Sequence, residues 1–312
     1  MRRIVQNILD DQVIAARLAI LATYGGNVAA AARELGIARS TLRDTVDASK
    51  RSMLHPAEPK VPGRLELTVD NGCVLIGSDA HYWPDVVTTA HRAFLWAAKT
   101  IKPKVVIVNG DLLDGATVSR HPPIGWESRP TLAQEIETVQ TRLAEIEKAT
   151  KNAKRIWPLG NHDARLETRI ASMVPEFARV KGVHLSDHFP GWEKCWSVWI
   201  NNSVVVKHRA KGGVHATHNN TVSGGLTMIT GHTHSLKITP YTDYRDAVRW
   251  GVDCGTLADP FGPQFQYIED GFRNWRSGFV VLTFRDGKLM WPELVYVVED
   301  GVVGFRGNLI TV

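Results

Sequence analysis

The feature of this sequence that most limits its fold is a set of short apolar runs, each followed closely by Asp, Asn or His. The runs cover residues 73–76, 105–108, 156–159, 204–206 and 228–229. Apolar runs of this length are typical of buried strands. Between them, residues 86–101 and 132–146 carry apolar side chains at helical spacing, which predicts helices with one buried side. Strands that alternate with helices predict a layered α/β fold.

The polar residues that follow these runs are of metal-binding types. In chain order they are Asp79 and His81, then Asp111, then Asn161, His162 and Asp163, then His208, and finally His232 and His234. Open α/β sheets place their ligand sites beyond the carboxyl ends of the strands, so we expect these side chains to lie close together. Carboxylates favour hard cations and imidazoles favour borderline ones. The mixture therefore suits Mn²⁺, Fe or Zn²⁺ better than Mg²⁺.

These residues also form five motifs in a fixed order. The motifs are Asp79-x-His81, Gly110-Asp111, Gly160-Asn161-His162-Asp163, His208 and Gly231-His232-Thr233-His234. They resemble the five motifs of the calcineurin-like metallophosphoesterases, over about residues 65–298. The resemblance implies a four-layer α/β/β/α sandwich that holds two divalent metal ions and hydrolyses phosphate esters by metal-activated hydroxide. Mn²⁺ is the preferred ion, with Fe, Zn²⁺, Ni²⁺ and Mg²⁺ as alternatives.

The resemblance further implies a role for each motif residue. Asp79, His81, Asp111 and His234 would hold the first metal, with Asp111 as the bridge, and Asn161, His208 and His232 would complete the second. His162 is implied as the general acid, and Asp163 is implied to orient its imidazole. His215 and His218 stay open as alternatives for the fourth motif. His208 is preferred because it lies directly beyond an apolar run.

Two further residues are candidates for substrate binding. Arg120 and His121 lie in the loop of residues 115–130, which follows the second motif. An arginine can hold a phosphate group through two parallel hydrogen bonds. Asp114, three residues after Asp111, either supports the site or caps a turn.

The N-terminal residues differ from the rest in charge and composition. Residues 1–52 contain eight Lys and Arg against five Asp and Glu, a net charge of +3, whereas the other 260 residues carry only +2. Three prolines between residues 56 and 62 end the helical pattern. We therefore expect a helical domain over residues 1–52, a linker over 53–64 and a catalytic domain over 65–312.

The helical domain has the pattern of a helix-turn-helix. Asn27 can cap one helix, and Gly36 supplies the tight turn that leads into the next. Ile37, Leu42 and Val46 are expected to pack inward. The exposed face of the second helix would then carry Arg39, Ser40, Thr41 and Arg43, where such motifs contact DNA.

This segment resembles the Fis-type helix-turn-helix of bacterial regulators, and the resemblance implies DNA binding. It departs from that pattern at Ala38, where a capping Ser is usual, and it carries Asp44 and Asp47 near the contact face. The alternative is a small helical module that forms a homodimer or docks a protein.

Together these features predict a two-metal phosphodiesterase that acts on DNA, a nuclease or DNA-processing enzyme encoded by a phage or mobile element. One alternative is a phosphomonoesterase or nucleotide phosphatase whose N-terminal module serves only dimerisation or docking. Another is a DNA-binding regulator with an inactive second domain. No stretch approaches the ~18 apolar residues of a membrane helix, and three cysteines form no CxxC pair. We therefore expect a cytoplasmic protein without a membrane partner.

Overall fold

The computed structural model describes residues 2–123, 125–244 and 248–312, and for residues 2–11 and 51 it describes the backbone alone. Internal contacts divide the chain into two compact units. The helical unit comprises the chain up to Lys60 together with Glu167–Asp187, and the sandwich unit comprises Val61–Leu166 and His188–Val312. Among the described helices, none has both the length and the apolar character needed to cross a membrane.

The helical unit begins with three helices, α1 (Arg2–Thr23), α2 (Val28–Glu34) and α3 (Arg39–Arg51). The Asn27 side chain accepts hydrogen bonds from the backbone N–H groups of Ala29 and Ala30, both at 3.1 Å, so the expected cap is confirmed. Gly36 has a φ of +62°, which confirms the expected tight turn between α2 and α3.

A small apolar cluster holds these helices together. Ala31, Ala32 and Leu42 are fully buried, and Ile20 and Ile37 pack against them. The segment with Pro56 and Pro59 also belongs to this unit, and the backbone N–H of His55 donates to the carbonyl of Arg179 at 2.7 Å.

The remaining helical elements are α4 to α8 and two short 3₁₀ segments. They are α4 (Thr89–Ile101), α5 (Leu132–Ala149), α6 (Arg165–Met173), α7 (Leu185–His188), α8 (Ala216–Gly224), and the 3₁₀ segments Pro175–Phe177 and Pro263–Ile268. The predicted helix at residues 86–101 begins later, at Thr89. The reason is that the Thr88 hydroxyl caps the N–H of His91 and leaves Thr88 itself extended.

Fifteen described strands form two sheets. In chain order they are β1 (Leu65–Leu67), β2 (Gly72–Gly77), β3 (Val105–Val108), β4 (Lys154–Pro158), β5 (Glu193–Cys195), β6 (Val198–Ile200), β7 (Val204–Val206), β8 (Thr227–Thr230), β9 (Lys237–Thr242), β10 (Val248–Asp253), β11 (Gly278–Arg285), β12 (Lys288–Leu289), β13 (Glu293–Glu299), β14 (Val302–Phe305) and β15 (Asn308–Thr311). One sheet has the order β1-β6-β7-β8-β10-β9, and the other has the order β15-β14-β13-β11-β2-β3-β4-β5 with β12 beside β11.

The two sheets pack face to face through one apolar core. Val74 and Ile76 of β2 contribute to it from one sheet, and Val204 and Val206 of β7 contribute from the other. Helix α4 packs on the outer face of the larger sheet with α5 beside it, and α8 packs on the smaller sheet. The predicted four-layer α/β/β/α sandwich is confirmed.

Within each sheet, the registers bring the ends of the motif-bearing strands to comparable levels. Ile76, Ile107 and Ile156 are aligned across the parallel strands β2, β3 and β4. Val206 is aligned with Ile229 across the parallel strands β7 and β8. All five metal-type motifs follow these strands, so the sheet topology determines where the site lies.

Candidate metal centre

The backbone turns sharply where the strands end. Five motif residues have a positive φ: Asp79 (52°), His81 (38°), Asp111 (53°), His232 (69°) and His234 (52°). This left-handed conformation is unfavourable for residues that carry a Cβ, and it is found most often at functional sites.

Glycines beside the motif residues allow the loops to approach one another. A Cβ on Gly160 would lie 2.0 Å from Oδ1 of Asp111, and one on Gly231 would lie 2.5 Å from Oδ2 of Asp79. Neither position can hold a larger residue without movement of a carboxylate. The glycines of the third and fifth motifs are therefore required by packing against the site itself.

Six of the seven predicted ligands form two groups. Asp79, His81 and His234 form one, and Asp111, His208 and His232 form the other, with the ligand atoms of each group within 4.8 Å of one another. Nε2 of His234 lies 3.0 Å from Oδ1 of Asp79, and Nε2 of His208 lies 3.1 Å from Oδ2 of Asp111. Nε2 of His208 also lies 3.9 Å from Oδ1 of Asp79, so the two groups are adjacent.

The donor atoms fit divalent cations. Nδ1 of His208 donates to the carbonyl of Asn109 at 2.8 Å, which leaves Nε2 to act as a ligand. Nδ1 of His81 lies 3.1 Å from Oδ1 of Asp114, and Nε2 of His81 is buried without a hydrogen bond. Oδ1 of Asn161, the seventh predicted ligand, is also buried and unpartnered. Buried polar atoms without partners are costly unless a ligand satisfies them.

The electrostatics of the site also favour cations. Burial opposes ionisation of Asp79, but His208 and His234 outweigh it and lower the pKa of Asp79 to about 2. Burial disfavours the charged form of His208, but Asp111 and Asp79 raise the pKa of His208 to about 10. The two carboxylates thus hold a proton on His208, and a divalent cation would take the place of that positive charge.

His162 lies beside the two groups and is positioned by Asp114. Its Nδ1 donates to the carbonyl of Asp114 at 2.8 Å and lies 3.2 Å from Oδ1 of the same residue. Its Nε2 lies 3.0 Å from a guanidinium nitrogen of Arg165 and 4.0 Å from Oδ2 of Asp111. Burial lowers the pKa of His162, but the neighbouring carboxylates of Asp114 and Asp111 outweigh it and raise that pKa overall.

Asp163 does not orient the His162 imidazole, contrary to the sequence-based expectation. Its carboxylate accepts hydrogen bonds from the backbone N–H groups of Asp111 (2.8 Å), Leu112 (2.9 Å) and Gly160 (2.9 Å), and from the indole of Trp157 (2.9 Å). It therefore joins the second and third motifs into one hydrogen-bonded loop pair. The carboxylate next to His162 is that of Asp114, which also contacts His81.

Asp253 has a similar role at the fifth motif. Its carboxylate accepts hydrogen bonds from the backbone N–H groups of Ser235 and Gly255, both at 2.9 Å, and from the Thr233 hydroxyl at 2.5 Å. Burial raises the pKa of Asp253 and that of Asp163. Two buried carboxylates thus organise the loops that carry the proposed ligands.

The structure distinguishes between the histidines considered for the fourth motif and locates the two candidates for substrate binding. His208 is buried within a ligand group, whereas His215 and His218 are exposed and lie at α8. His121 lines a cavity next to His162, and Arg120 has an exposed side chain on the same loop. Arg165, which contacts His162, was missed because nothing in its local sequence distinguishes it from any other helical arginine.

Comparisons with known proteins bear on both units. Residues 18–44 match the model of the Fis family of bacterial regulatory proteins. This segment is therefore similar to the helix-turn-helix of that family. No curated protein matches the sequence.

Several solved structures are similar to the chain. Vacuolar Protein Sorting 29 from Cryptosporidium parvum is 14% identical, with 78% of this chain and 100% of that chain covered, at a TM-score of 0.42. The E. coli phosphoesterase YfcE is 14% identical, with 70% and 97% covered, at 0.32. A protein serine/threonine phosphatase from Saccharomyces cerevisiae is 12% identical, with 77% and 85% covered, at 0.37.

Proposed function

We propose that this chain is a metal-dependent phosphoesterase that hydrolyses phosphodiester bonds in DNA, as a nuclease or DNA-processing enzyme. The observation that carries the proposal is the convergence of the motif residues. Side chains that follow four strands, in two different sheets, lie in two adjacent groups of metal-ligand types, and Asn161, after a fifth strand, has a buried, unpartnered Oδ1. Chance placement of polar residues at strand ends would not bring their ligand atoms together in this way.

The proposed ligands are the seven residues of the motifs. Asp79, His81, Asp111 and His234 would hold one ion, and Asn161, His208 and His232 would complete a second, with Asp111 shared. When bound, two divalent cations lower the pKa of water and stabilise the negative charge that develops on phosphorus. The mixed oxygen and nitrogen donors support Mn²⁺ as the ion.

His162 is the proposed proton donor to the leaving oxygen. Its Nδ1 is held by the carbonyl of Asp114, and its Nε2 lies 4.0 Å from Oδ2 of Asp111, beside the ligand groups. A departing alkoxide needs a proton, and a positioned histidine supplies it. Arg165, at 3.0 Å from His162, offers a cation to the phosphoryl oxygens.

DNA as the substrate is supported by the helical unit. Arg39, Ser40 and Arg43 are exposed near the start of α3, and Thr41 is half-buried beside them. In a helix-turn-helix, the first residues of the second helix contact base edges and phosphates in the major groove. The match to the Fis family covers all four of these residues.

The test measures hydrolysis of bis(p-nitrophenyl) phosphate by the full chain, stripped with EDTA and reloaded with Mn²⁺. Asp111→Asn should lower kcat/KM by about a hundredfold or more, because a neutral amide replaces the carboxylate that both ions would share. Asp286→Asn is the matched control, since Asp286 is exposed on the β11–β12 turn.

Two outcomes would contradict the proposal. Hydrolysis that survives in Asp111→Asn would place the reaction elsewhere, and a folded, reloaded wild-type chain without activity would exclude the reaction. Faster hydrolysis of p-nitrophenyl phosphate than of the diester would replace the diesterase by a phosphomonoesterase. Parallel assays with Fe, Zn²⁺, Ni²⁺ and Mg²⁺ would test the choice of Mn²⁺.

A further inference from the structure

A cavity of about 470 Å³ opens next to the proposed proton donor. His162, Asp114 and Arg165 line one end of it, and Trp83, Gln264 and Tyr267 line other parts of its wall. Its volume falls within the range of small-molecule sites. Because it contains His162, it lies on the side of the scissile phosphate from which the alkoxide would depart.

One wall of the cavity is fixed to the metal centre. The 3₁₀ segment Pro263–Ile268 carries Gln264 and Tyr267, and between them lies the fully buried Phe265. The Phe265 ring centroid lies 5.2 Å from that of His81 and 5.7 Å from that of His234. Gln264 and Tyr267 are therefore held at set positions relative to the proposed ligands.

Another part of the cavity wall is formed by the loop of residues 115–130, which Arg129 holds in place. The Arg129 guanidinium donates to the carbonyls of Ala116, His121 and Pro122, at 3.0, 3.4 and 3.2 Å, and pairs with Glu127 at 2.8 Å. The Arg129 guanidinium is therefore occupied by contacts within the loop. Arg165 donates to the carbonyl of Asp114 at 2.6 Å and lies 3.0 Å from His162, so its guanidinium is held at the His162 end of the cavity.

Gln264 has an unsatisfied polar atom. The residue is only 3% exposed, and its Oε1 is buried without a hydrogen-bond partner. A buried amide oxygen without a partner is costly, and a ligand that brings an N–H donor would satisfy it. Tyr267, which is 49% exposed, offers an aromatic surface in the same cavity. An N–H donor on a flat ring is the chemistry of a nucleobase.

Exposed aromatic side chains lie on the two chain segments that form these walls. Trp126 is fully exposed beside Glu127 and Arg129, and Phe261 and Phe272 are 80% and 93% exposed on either side of the 3₁₀ segment. Aromatic side chains of this kind stack on the bases of single-stranded nucleic acid. The bases of a duplex are paired and stacked, so they cannot reach such side chains or the cavity.

We propose that this cavity binds the nucleoside on the leaving side of the scissile phosphate in single-stranded nucleic acid. The base packs against Tyr267 and donates a hydrogen bond to Gln264, and Arg165 meets the phosphate. This inference rests on the proposed phosphodiesterase function and specifies its substrate as an unpaired strand.

The experiment compares two substrates on the full Mn²⁺-loaded chain: a short single-stranded oligonucleotide, and bis(p-nitrophenyl) phosphate, which has no nucleoside. Tyr267→Ala and Gln264→Met should each lower kcat/KM on the oligonucleotide by about tenfold, while the diester rate changes less than twofold. Tyr267→Phe keeps the ring and should retain activity. Gln266→Met is the matched control, since Gln266 is exposed in the same 3₁₀ segment.

A second measurement does not depend on catalysis. Calorimetric titration of the EDTA-treated chain with dAMP should give a binding heat that Tyr267→Ala and Gln264→Met reduce and Gln266→Met preserves. Inorganic phosphate alone should bind the variants and the wild type equally.

The outcomes separate the two proposals. A wild type that cleaves both substrates, with variants that lose activity on both equally or on neither, overturns the nucleoside site and leaves the phosphodiesterase intact. The absence of a dAMP heat in the wild type also overturns the site. A folded, reloaded wild type that cleaves neither substrate overturns the proposed function and, with it, the leaving-side assignment.

Discussion

The helical unit and the sandwich unit place their candidate functional residues in opposite environments. Arg39 and Arg43 are exposed on α3, whereas Asp79, Asp111 and His208 are no more than 1% exposed. In the first case the fold only presents side chains to solvent. In the second case the same side chains that would do the chemistry are also part of the packed interior. Substitutions of these buried site residues should therefore affect activity and stability together, and substitutions on the α3 face should affect binding alone.

The largest effect is expected from the proposed proton donor. His162→Gln should lower kcat on an oligonucleotide by about 10²–10⁴-fold, because the departing alkoxide then lacks a proton source. The loss on bis(p-nitrophenyl) phosphate should be much smaller, since p-nitrophenolate leaves without protonation.

The matched control for His162 is His218→Gln, a change at an exposed histidine of α8. It should leave both rates unchanged. An equal loss on both substrates in His162→Gln would mean that the residue supports the site without transferring a proton.

Asp163 should show how strongly the site and the fold are linked. In the wild type, backbone N–H groups donate to the Asp163 carboxylate. Asp163→Asn places an amide NH₂, itself a donor, against these N–H groups, so we expect a loss of about 2–4 kcal/mol in the free energy of unfolding. All ten tryptophans lie in the sandwich unit, so urea unfolding followed by tryptophan fluorescence measures this loss directly. Asp286→Asn should leave the unfolding midpoint in place, and an unchanged midpoint in Asp163→Asn would show that its hydrogen bonds are dispensable.

The α3 face should respond through salt-dependent binding. The double variant Arg39→Ala/Arg43→Ala should weaken duplex DNA binding by the full chain about tenfold and lower the slope of log K against log salt by about 2. Hydrolysis of bis(p-nitrophenyl) phosphate should not change.

A control with the same loss of charge is Arg285→Ala/Lys288→Ala, at the β11–β12 turn of the sandwich unit. Equal weakening of DNA binding by both double variants would indicate a general charge effect and would remove the special role of α3.

The smallest effect is expected at the cap of α2. Asn27→Ala removes two hydrogen bonds and should cost the helical unit about 1 kcal/mol. Circular dichroism should detect the change, and the tryptophan signal of the sandwich unit should not. A shift of the tryptophan transition would show that the two units unfold together, which would weaken the contrast between them.

Much of this architecture could be predicted from local sequence. The five strand ends are identifiable because ligand chemistry follows each apolar run, and Asn27 and Gly36 mark the helix-turn-helix by their backbone requirements. The β14–β15 hairpin was missed. Its turn, Arg306-Gly307, has positive φ at both residues, 50° and 77°, and an Arg-Gly pair is a weaker turn signal than Asn-Gly.

Other parts of the site could not be predicted because they depend on contacts between distant segments. The order Asn161-His162-Asp163 does not reveal which neighbour contacts the histidine, and the loop geometry decides in favour of Asp114. Gln264 lines the same cavity as His162, although it lies about a hundred residues after His162 in the chain. Only the fold brings its buried amide near His162.

The left-handed backbone at five motif positions has a consequence for how this chain can change over time. Glycine would adopt those φ values without strain, so replacing an aspartate or histidine there would relieve the backbone while deleting a metal donor. Backbone strain therefore favours glycine at these positions, whereas metal binding requires aspartate or histidine. A laboratory selection for thermal tolerance alone should drift towards glycine at His232, whose side chain is exposed, and the resulting chains would be more stable and inactive.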